Sequence, residues 1–346
     1  MHGRHGDELG ELDFVGGSAM KTGYGYMRVK RAELMDVLLE KVMEGGGVRV
    51  EWGKRVVGVH DEGDGVTVKF EDATSDTSDL VLGCDGIHSA VRTQYVDPEA
   101  VPQYSGISTI FAFLSVKDLP DDPSSLTCMH ATFTQDGLFA IGPCTVDGDT
   151  LFWFFSHEVA VPTGNYESNR EGWEEHRRTE VEGFKTKLLS SLKDVGGEWG
   201  LMLKTVVRQT KTVNFYPIFR LPIGRSWSRG QCLLLGDAAH AMQPHSGQGV
   251  SMALEDVFLF SRLLEVPSNT LPNVFKKFEK IRRPRIEKYH KQAAKAGDDR
   301  RRLGPWTSWF RDFVIWLGLL VFNALGLHRW GWSQRGLVYD IDDVKI

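Results

Sequence analysis

The sequence predicts an α/β fold, and three observations predict it. An apolar strand, Cys232 to Leu235, runs into Gly236-Asp237, a tight turn through Pro244 and Gly247-Gln248-Gly249, and a helix with Leu254 and Val257 on its inner side. A second apolar strand, Leu80 to Gly83, delivers the chain into a turn at Asp85-Gly86. Between them, from Val101 to Phe219, the pattern alternates as half-buried antiparallel strands do. Strands that leave through glycine turns into helices build parallel sheets, so the middle stretch reads as an antiparallel insertion.

The elements follow in order. Residues 1–26 carry short alternating apolar positions and many glycines, and read as irregular strands or a hairpin. Arg28 to Met43 places Leu34, Val37, Leu38 and Val42 on a helical stripe, stopped by Gly45-Gly46-Gly47. Three strands are expected at Val48 to Trp52, Val56 to His60 and Val66 to Phe70. The inserted sheet is expected at Thr109 to Val116, His130 to Thr134, Leu138 to Ile141 and Leu151 to Phe155, interrupted by one helix near Arg178 to Leu192. Phe275 to Arg302 is rich in Lys and Arg, and Pro284 is expected to kink or interrupt it. Trp306 to Trp332 is apolar and aromatic; its uninterrupted run falls short of the ~18–20 residues that span a bilayer. A packed C-terminal helix is the first reading of this tail, and an interfacial, membrane-attached helix the second.

At 346 residues the chain has room for about two domains. A net charge of −5 argues against a nucleic-acid partner. Cys84, Cys128, Cys144 and Cys232 have no metal spacing and no paired framework, so they read as reduced thiols of a cytoplasmic protein. The first residues contain no apolar signal-peptide core.

The chemistry concentrates at the two turns. Glycines there let backbone N–H groups approach a ligand, and a helix N-terminus favours negative charge. Asp237 is a ready acceptor for a hydroxyl, or else a simple helix cap. His240 and His245 lack carboxylate or thiol partners at ligand spacing, so no metal is expected.

Cys232 to Val257 closely resembles the "GD" motif of the single-component FAD-dependent aromatic hydroxylases, and Gly83 to Arg92 resembles that family's "DG" motif. The resemblance implies a Rossmann-like FAD/NAD(P)-binding domain, an inserted antiparallel substrate sheet and a C-terminal helical tail. The implied layout is 1–100 and 226–303 for the FAD domain, 101–225 for the substrate domain and 304–346 for the tail. It implies FAD as cofactor, NAD(P)H as co-substrate, and hydroxylation or epoxidation of a small apolar or aromatic molecule. By the same resemblance Gly236, Asp237, Pro244, Gly247, Gln248 and Gly249 hold the flavin and ribityl chain. Asp85 and Gly86 lie by the pyrophosphate, and Arg92 neutralises phosphate or anchors its helix. Arg31 resembles the arginine of the family's R-x-x-L stretch, where a guanidinium can bind phosphate. Phe111, Phe113, Phe139, Phe152 and Trp153 are candidate substrate lining and equally ordinary core. Variants in the motifs look most like fungal salicylate-hydroxylase-like members, many of which serve secondary metabolism.

One family element is absent: no strand–G-x-G-x-x-G–helix unit occurs, so the first βαβ is incomplete. By comparison with the family the chain starts roughly 75–85 residues late, which removes the adenosine half of the FAD site. A truncated, inactive homologue that binds FAD weakly or not at all is therefore the alternative reading.

Overall fold

A computed structural model describes residues 1–13, 16–24, 28–120, 126–161, 170–327, 336 and 338–346. In chain order the elements are α1 (Gly16–Thr22), α2 (Arg31–Gly45), β1 (Val56–Asp61), β2 (Val66–Phe70), β3 (Ser75–Ser78), β4 (Val81–Gly83) and β5 (Gln103–Ser115). Then come β6 (His130–Phe133), β7 (Gly137–Pro143), β8 (Thr150–Glu158), α3 (Arg170–Ser191), α4 (Gly197–Gln209), β9 (Asn214–Arg220), β10 (Ser228–Arg229) and β11 (Cys232–Leu234). The chain closes with α5 (Asp237–His240), α6 (Gly249–Leu264), α7 (Leu271–Asp298) and α8 (Pro305–Ala324). The chain is an α/β protein of two compact units.

One unit comprises 1–48, 106–217 and 299–339, and is built on the sheet β6-β7-β8-β5-β9. Within it β5 pairs antiparallel with β8 from Ile107↔Glu158 to Ser115↔Thr150, and β7 pairs antiparallel with β8 from Gly137↔His157 to Pro143↔Leu151. One face is dry, with Phe139 and Trp153 both fully buried and stacked at 5.3 Å. Two helices, not one, accompany this sheet. α4 lies in a stretch where Leu203, Val206 and Val207 form an i, i+3, i+4 stripe, and all three are fully buried.

The other unit comprises 49–105, 218–298 and 340–346. It holds the antiparallel sheet β1-β2-β3 and a small sheet of order β10-β11-β4, in which β11 and β4 run parallel. α6 and α7 complete it. α7 runs unbroken through Pro284, contrary to the expected interruption. Pro284 removes one backbone donor, and Phe278, Arg282, Ile286 and Tyr289, buried on both sides of it, hold the helical course.

Several other expectations are corrected. Residues 16–22 are helical, not strand or hairpin; 25–27 lie outside the described residues. Val48 to Trp52 forms no strand, since among the described residues no strand lies beside it to exchange hydrogen bonds. Val48 and Trp52 are exposed, and α2 buries none of its residues, so its stripe exists without a partner surface. On α6 the inner face is Met252, Asp256, Leu259, Phe260 and Leu263, whereas Leu254 and Val257 point outward. The inner face is set by a buried ionic cluster described below. The tail helix α8 is not packed as expected; most of its apolar side chains are exposed.

Candidate functional site

The parallel pairing of β4 with β11, Val81↔Cys232 through Gly83↔Leu234, brings the two motifs together. Both strands end at the same edge, so Asp85-Gly86 and Gly236-Asp237 leave adjacent strands side by side, where α/β sheets place ligands. Gly83 makes the close approach feasible: a Cβ there would lie 2.7 Å from Leu234 Cδ2 and 3.0 Å from Val91 Cβ. Arg92 then ties the two turns. Its guanidinium is buried and donates to Ala238 O at 2.8 Å, Ala100 O at 3.0 Å and Ile87 O at 2.5 Å. Three of its five N–H donors are thus spent on backbone carbonyls, including those of both turns, so it ties them together.

Gly236 adopts φ 57°, a left-handed value open to glycine at little cost. Its N–H donates to Asp256 Oδ2 at 2.9 Å, across from α6. The same oxygen accepts His240 Nε2 at 2.7 Å, and Asp256 Oδ1 accepts Arg282 Nε at 2.7 Å. Glu255 receives Arg282 and takes a bidentate pair from Arg285, at 2.8 and 2.7 Å. Burial would raise the Asp256 carboxyl, but His240, Arg282 and the Gly236 N–H outweigh it and hold the group below the usual carboxylate range. A fully buried carboxylate therefore fastens the Gly236-Asp237 turn to two helices. Sequence reading passed over Asp256; its signal was an acidic residue within an apolar helical stripe, one helix before an arginine-rich helix.

The N-terminus of α6 faces outward. Gln248 precedes it with no side-chain cap bond, Gly249 opens it, and nothing lies within 4 Å of where a Gly249 Cβ would sit. Its first-turn amides are therefore available to an anion. Asp237 is exposed and has no side-chain partner among the described residues. Upstream, Pro244 begins a single 3₁₀ turn that ends at Gly247, φ 64°. Gln243, buried, leaves Oε1 without a hydrogen-bond partner. The exposed Asp237 carboxylate can accept from a ligand hydroxyl, and the open helix terminus can face an anionic edge; the buried Gln243 oxygen lies instead against Gly297 of α7.

The other candidates are placed as follows. Asp85 is exposed, but its Oδ2 accepts Ala90 N at 2.6 Å and Val91 N at 3.2 Å, so it caps its own turn. Gly86, φ 79°, has no neighbour within 4 Å of an added Cβ. Arg31 is the exposed first residue of α2, in the sheet-bearing unit. His240 is committed to Asp256. The four cysteines are free thiols, and burial raises Cys232 to about 11.

In the sheet-bearing unit, strand alternation separates the aromatic residues. Phe139 and Trp153 belong to the dry face and are core, the second of the two readings open to them. Phe111, Phe113 and Phe152 share the other face, with ring centroids 5.3 to 6.5 Å apart, and Phe154 joins them at 5.9 Å from Phe152. Phe113 is half exposed. Thr109 and Ser156 hydrogen-bond at 2.7 Å on the same face. This is an open aromatic floor with the half-buried Thr109 hydroxyl, backed by the buried Ser156, at its margin.

A family described as the FAD binding domain matches residues 10–192 and 204–293. The chain is 32% identical over 303 residues to 2-heptyl-3-hydroxy-4(1H)-quinolone synthase of Pseudomonas aeruginosa, covering 87% of this chain and 71% of that protein. It is 26% identical over 291 residues to 6-hydroxynicotinate 3-monooxygenase of Pseudomonas fluorescens, covering 83% and 70%. In fold it is similar to a salicylate hydroxylase in a substrate complex, with TM-score 0.74 and 21% identity over 99% of this chain and 79% of that one. It is also similar to HpxO of Klebsiella pneumoniae in complex with FAD and uric acid, with TM-score 0.72 and 22% identity over 93% and 77%.

Proposed function

Because the chain belongs to the single-component FAD-dependent aromatic hydroxylase family, we propose that it hydroxylates a small, planar aromatic substrate with NAD(P)H and O₂. The balance is one substrate C–H, one O₂, one NAD(P)H and one proton in, and one C–OH, one water and one NAD(P)⁺ out. The observation that carries the proposal is the paired turn edge: Gly236-Asp237 and Asp85-Gly86 side by side, with the open α6 terminus following.

These residues fit the flavin end of FAD. Bound FAD supplies two-electron reduction by NAD(P)H and activation of O₂. Asp237 offers an unpartnered carboxylate to ribityl hydroxyls. Gln248 and Gly249 offer backbone donors and the positive end of a 16-residue helix, worth ~0.3–2 kcal/mol to an anionic ring edge, while the Gly247 N–H is spent on Pro244 O and holds the turn. Arg92 and Asp256 hold the two turns in place without spending a donor on ligand. The pyrophosphate-binding G-x-G-x-x-G element is not among these residues.

The open floor of Phe111, Phe113, Phe152 and Phe154 suits a flat ring, and the Thr109–Ser156 pair suits one polar substituent at its rim. The names of the relatives, a 6-hydroxynicotinate 3-monooxygenase and a synthase of a 2-heptyl-3-hydroxyquinolone, favour an aromatic or N-heteroaromatic substrate class.

The test is FAD uptake by the purified chain, read by visible absorption and flavin fluorescence, followed by NAD(P)H oxidation with quinolone and hydroxybenzoate panels. Uptake that weakens at least tenfold in Asp237→Ala is expected. A chain that stays colourless with excess FAD refutes an autonomous enzyme and leaves the inactive homologue.

A further inference from the structure

We propose that α8 docks the protein onto an anionic lipid bilayer surface, lying in the interface with its aromatic face in the acyl region. The helix is turned inside out. Its buried residues are Ser308, Asp312 and Leu319, with Arg311 partly covered beside them. Asp312 Oδ2 accepts the Arg4 backbone N–H at 2.9 Å, Arg4 reaches Pro305 O at 2.9 Å, and Arg311 donates to Thr134 O at 3.3 Å while lying over the Phe133 ring. The polar stripe thus faces protein.

The opposite side is apolar and bare. Trp306 is 85% exposed, Phe310 59%, Trp309 52% and Leu320 50%. Phe313, Val314, Trp316, Leu317 and Val321 are exposed between 41% and 49%. At 3.6 residues per turn these nine side chains fill an arc of about 160°, centred opposite the buried stripe. Roughly 200 Å² per large side chain, about half exposed, makes this patch on the order of 900 Å², against the few hundred usual on a soluble monomer. Arg311 and Asp312 are the only ionisable residues of the helix, and both belong to the inward side, so the outward arc carries no charge.

Two features choose lipid over a second protein chain. A single partner helix covers a stripe near 100° wide, which would leave much of this arc wet, whereas acyl chains cover any width. The arc also begins beside a basic triplet, Arg300-Arg301-Arg302, at the helix N-terminus. The Arg302 side chain is 80% exposed and Arg301 41%, and their pairs with Asp136 and Glu158 lie at the surface, where such pairs are weak. Exposed guanidiniums next to Trp306 and Trp309 match the headgroup level of a bilayer. Among the described residues no helix is long and apolar enough to cross a membrane, so the contact is along the surface.

The test is flotation of the full chain with phosphatidylcholine vesicles with and without 30% phosphatidylserine, alongside sedimentation equilibrium without lipid. It needs neither flavin nor turnover, so its failure leaves the proposed reaction untouched. Binding to the serine-containing vesicles is expected, falling at least tenfold in Phe310→Asp/Leu317→Asp and several-fold in Arg302→Gln or on raising salt. Both acidic substitutions fall on exposed positions, and unchanged thermal unfolding checks that the variant folds. Failure to float with either vesicle overturns the proposal. So does undiminished flotation of the double variant. So does a lipid-free dimer that the double variant converts to monomer, which assigns the face to a second copy.

Discussion

Replacing Asp256 by Asn tests the buried ionic cluster most directly. The side chain is fully buried and accepts three hydrogen bonds, from Gly236 N–H, His240 and Arg282. Asn preserves shape but has one acceptor oxygen. With that oxygen in the Oδ2 position it keeps Gly236 and His240, and its NH₂ then confronts the Arg282 Nε–H, donor against donor. Loss of one partner from a buried ion pair costs about 3–5 kcal/mol. Glu255, still paired with Arg282, brings the expectation to the lower end, about 3 kcal/mol.

Equilibrium denaturation in urea of wild type, Asp256→Asn, Arg282→Met and the double variant measures this. The cycle is expected to give a coupling of about 2 kcal/mol, in the range for direct buried partners. A matched control, Asp237→Asn, removes an exposed carboxylate without a partner and is expected within about 0.5 kcal/mol of wild type. Asp256→Asn within 1 kcal/mol of wild type, or an additive cycle, would refute the reasoning. The pH dependence adds a second reading. A carboxyl held low in the folded state contributes stability above its unfolded pKa of ~3.9, lost as pH falls through the native value. That share of the acid loss disappears in Asp256→Asn.

Two further predictions concern single side chains. Arg92→Met leaves three buried carbonyls unpaired and is expected to cost about 3–5 kcal/mol in the same denaturation assay, with Arg92→Lys recovering only part because ammonium cannot reproduce the fork. His157 is buried, and burial together with the Lys187 charge pushes its pKa down to about 3. The unfolded chain therefore binds its proton first: stability is full above ~6.5 and falls by about 2 kcal/mol on going to pH 5, a slope that His157→Phe abolishes in denaturation at the two pH values.

Much of this was legible in the sequence. Both motif turns and the intervening antiparallel sheet followed from period-2 runs and glycine turns, whereas the order and pairing of its strands came only from the structure. The face of each residue was harder to read. Leu254 and Val257 fit an apolar stripe as well as Met252 and Leu259 do; what selects the face is Asp256, whose partner Arg282 lies in another helix. Phe139 and Phe152 look alike in sequence, and only the β7–β8 register puts them on opposite faces. The α8 tail misled for a related reason: an apolar helix is expected to turn its apolar side inward, whereas Arg4 and Asp312 fix it the other way round.

The Gly83↔Leu234 pairing has a kinetic consequence. It closes a chain segment of about 150 residues, and at (3/2)RT ln n that closure costs about 4 kcal/mol, against about 2 for the β7–β8 hairpin. The hairpins of the inserted sheet therefore form first, and once folded they shorten the effective distance between β4 and β11. On the ribosome the paired turns cannot exist until Leu234 has emerged and found Gly83, after the whole insert has been made. The proposed cofactor cradle therefore forms late, and a ligand that stabilises it acts on a late step of folding.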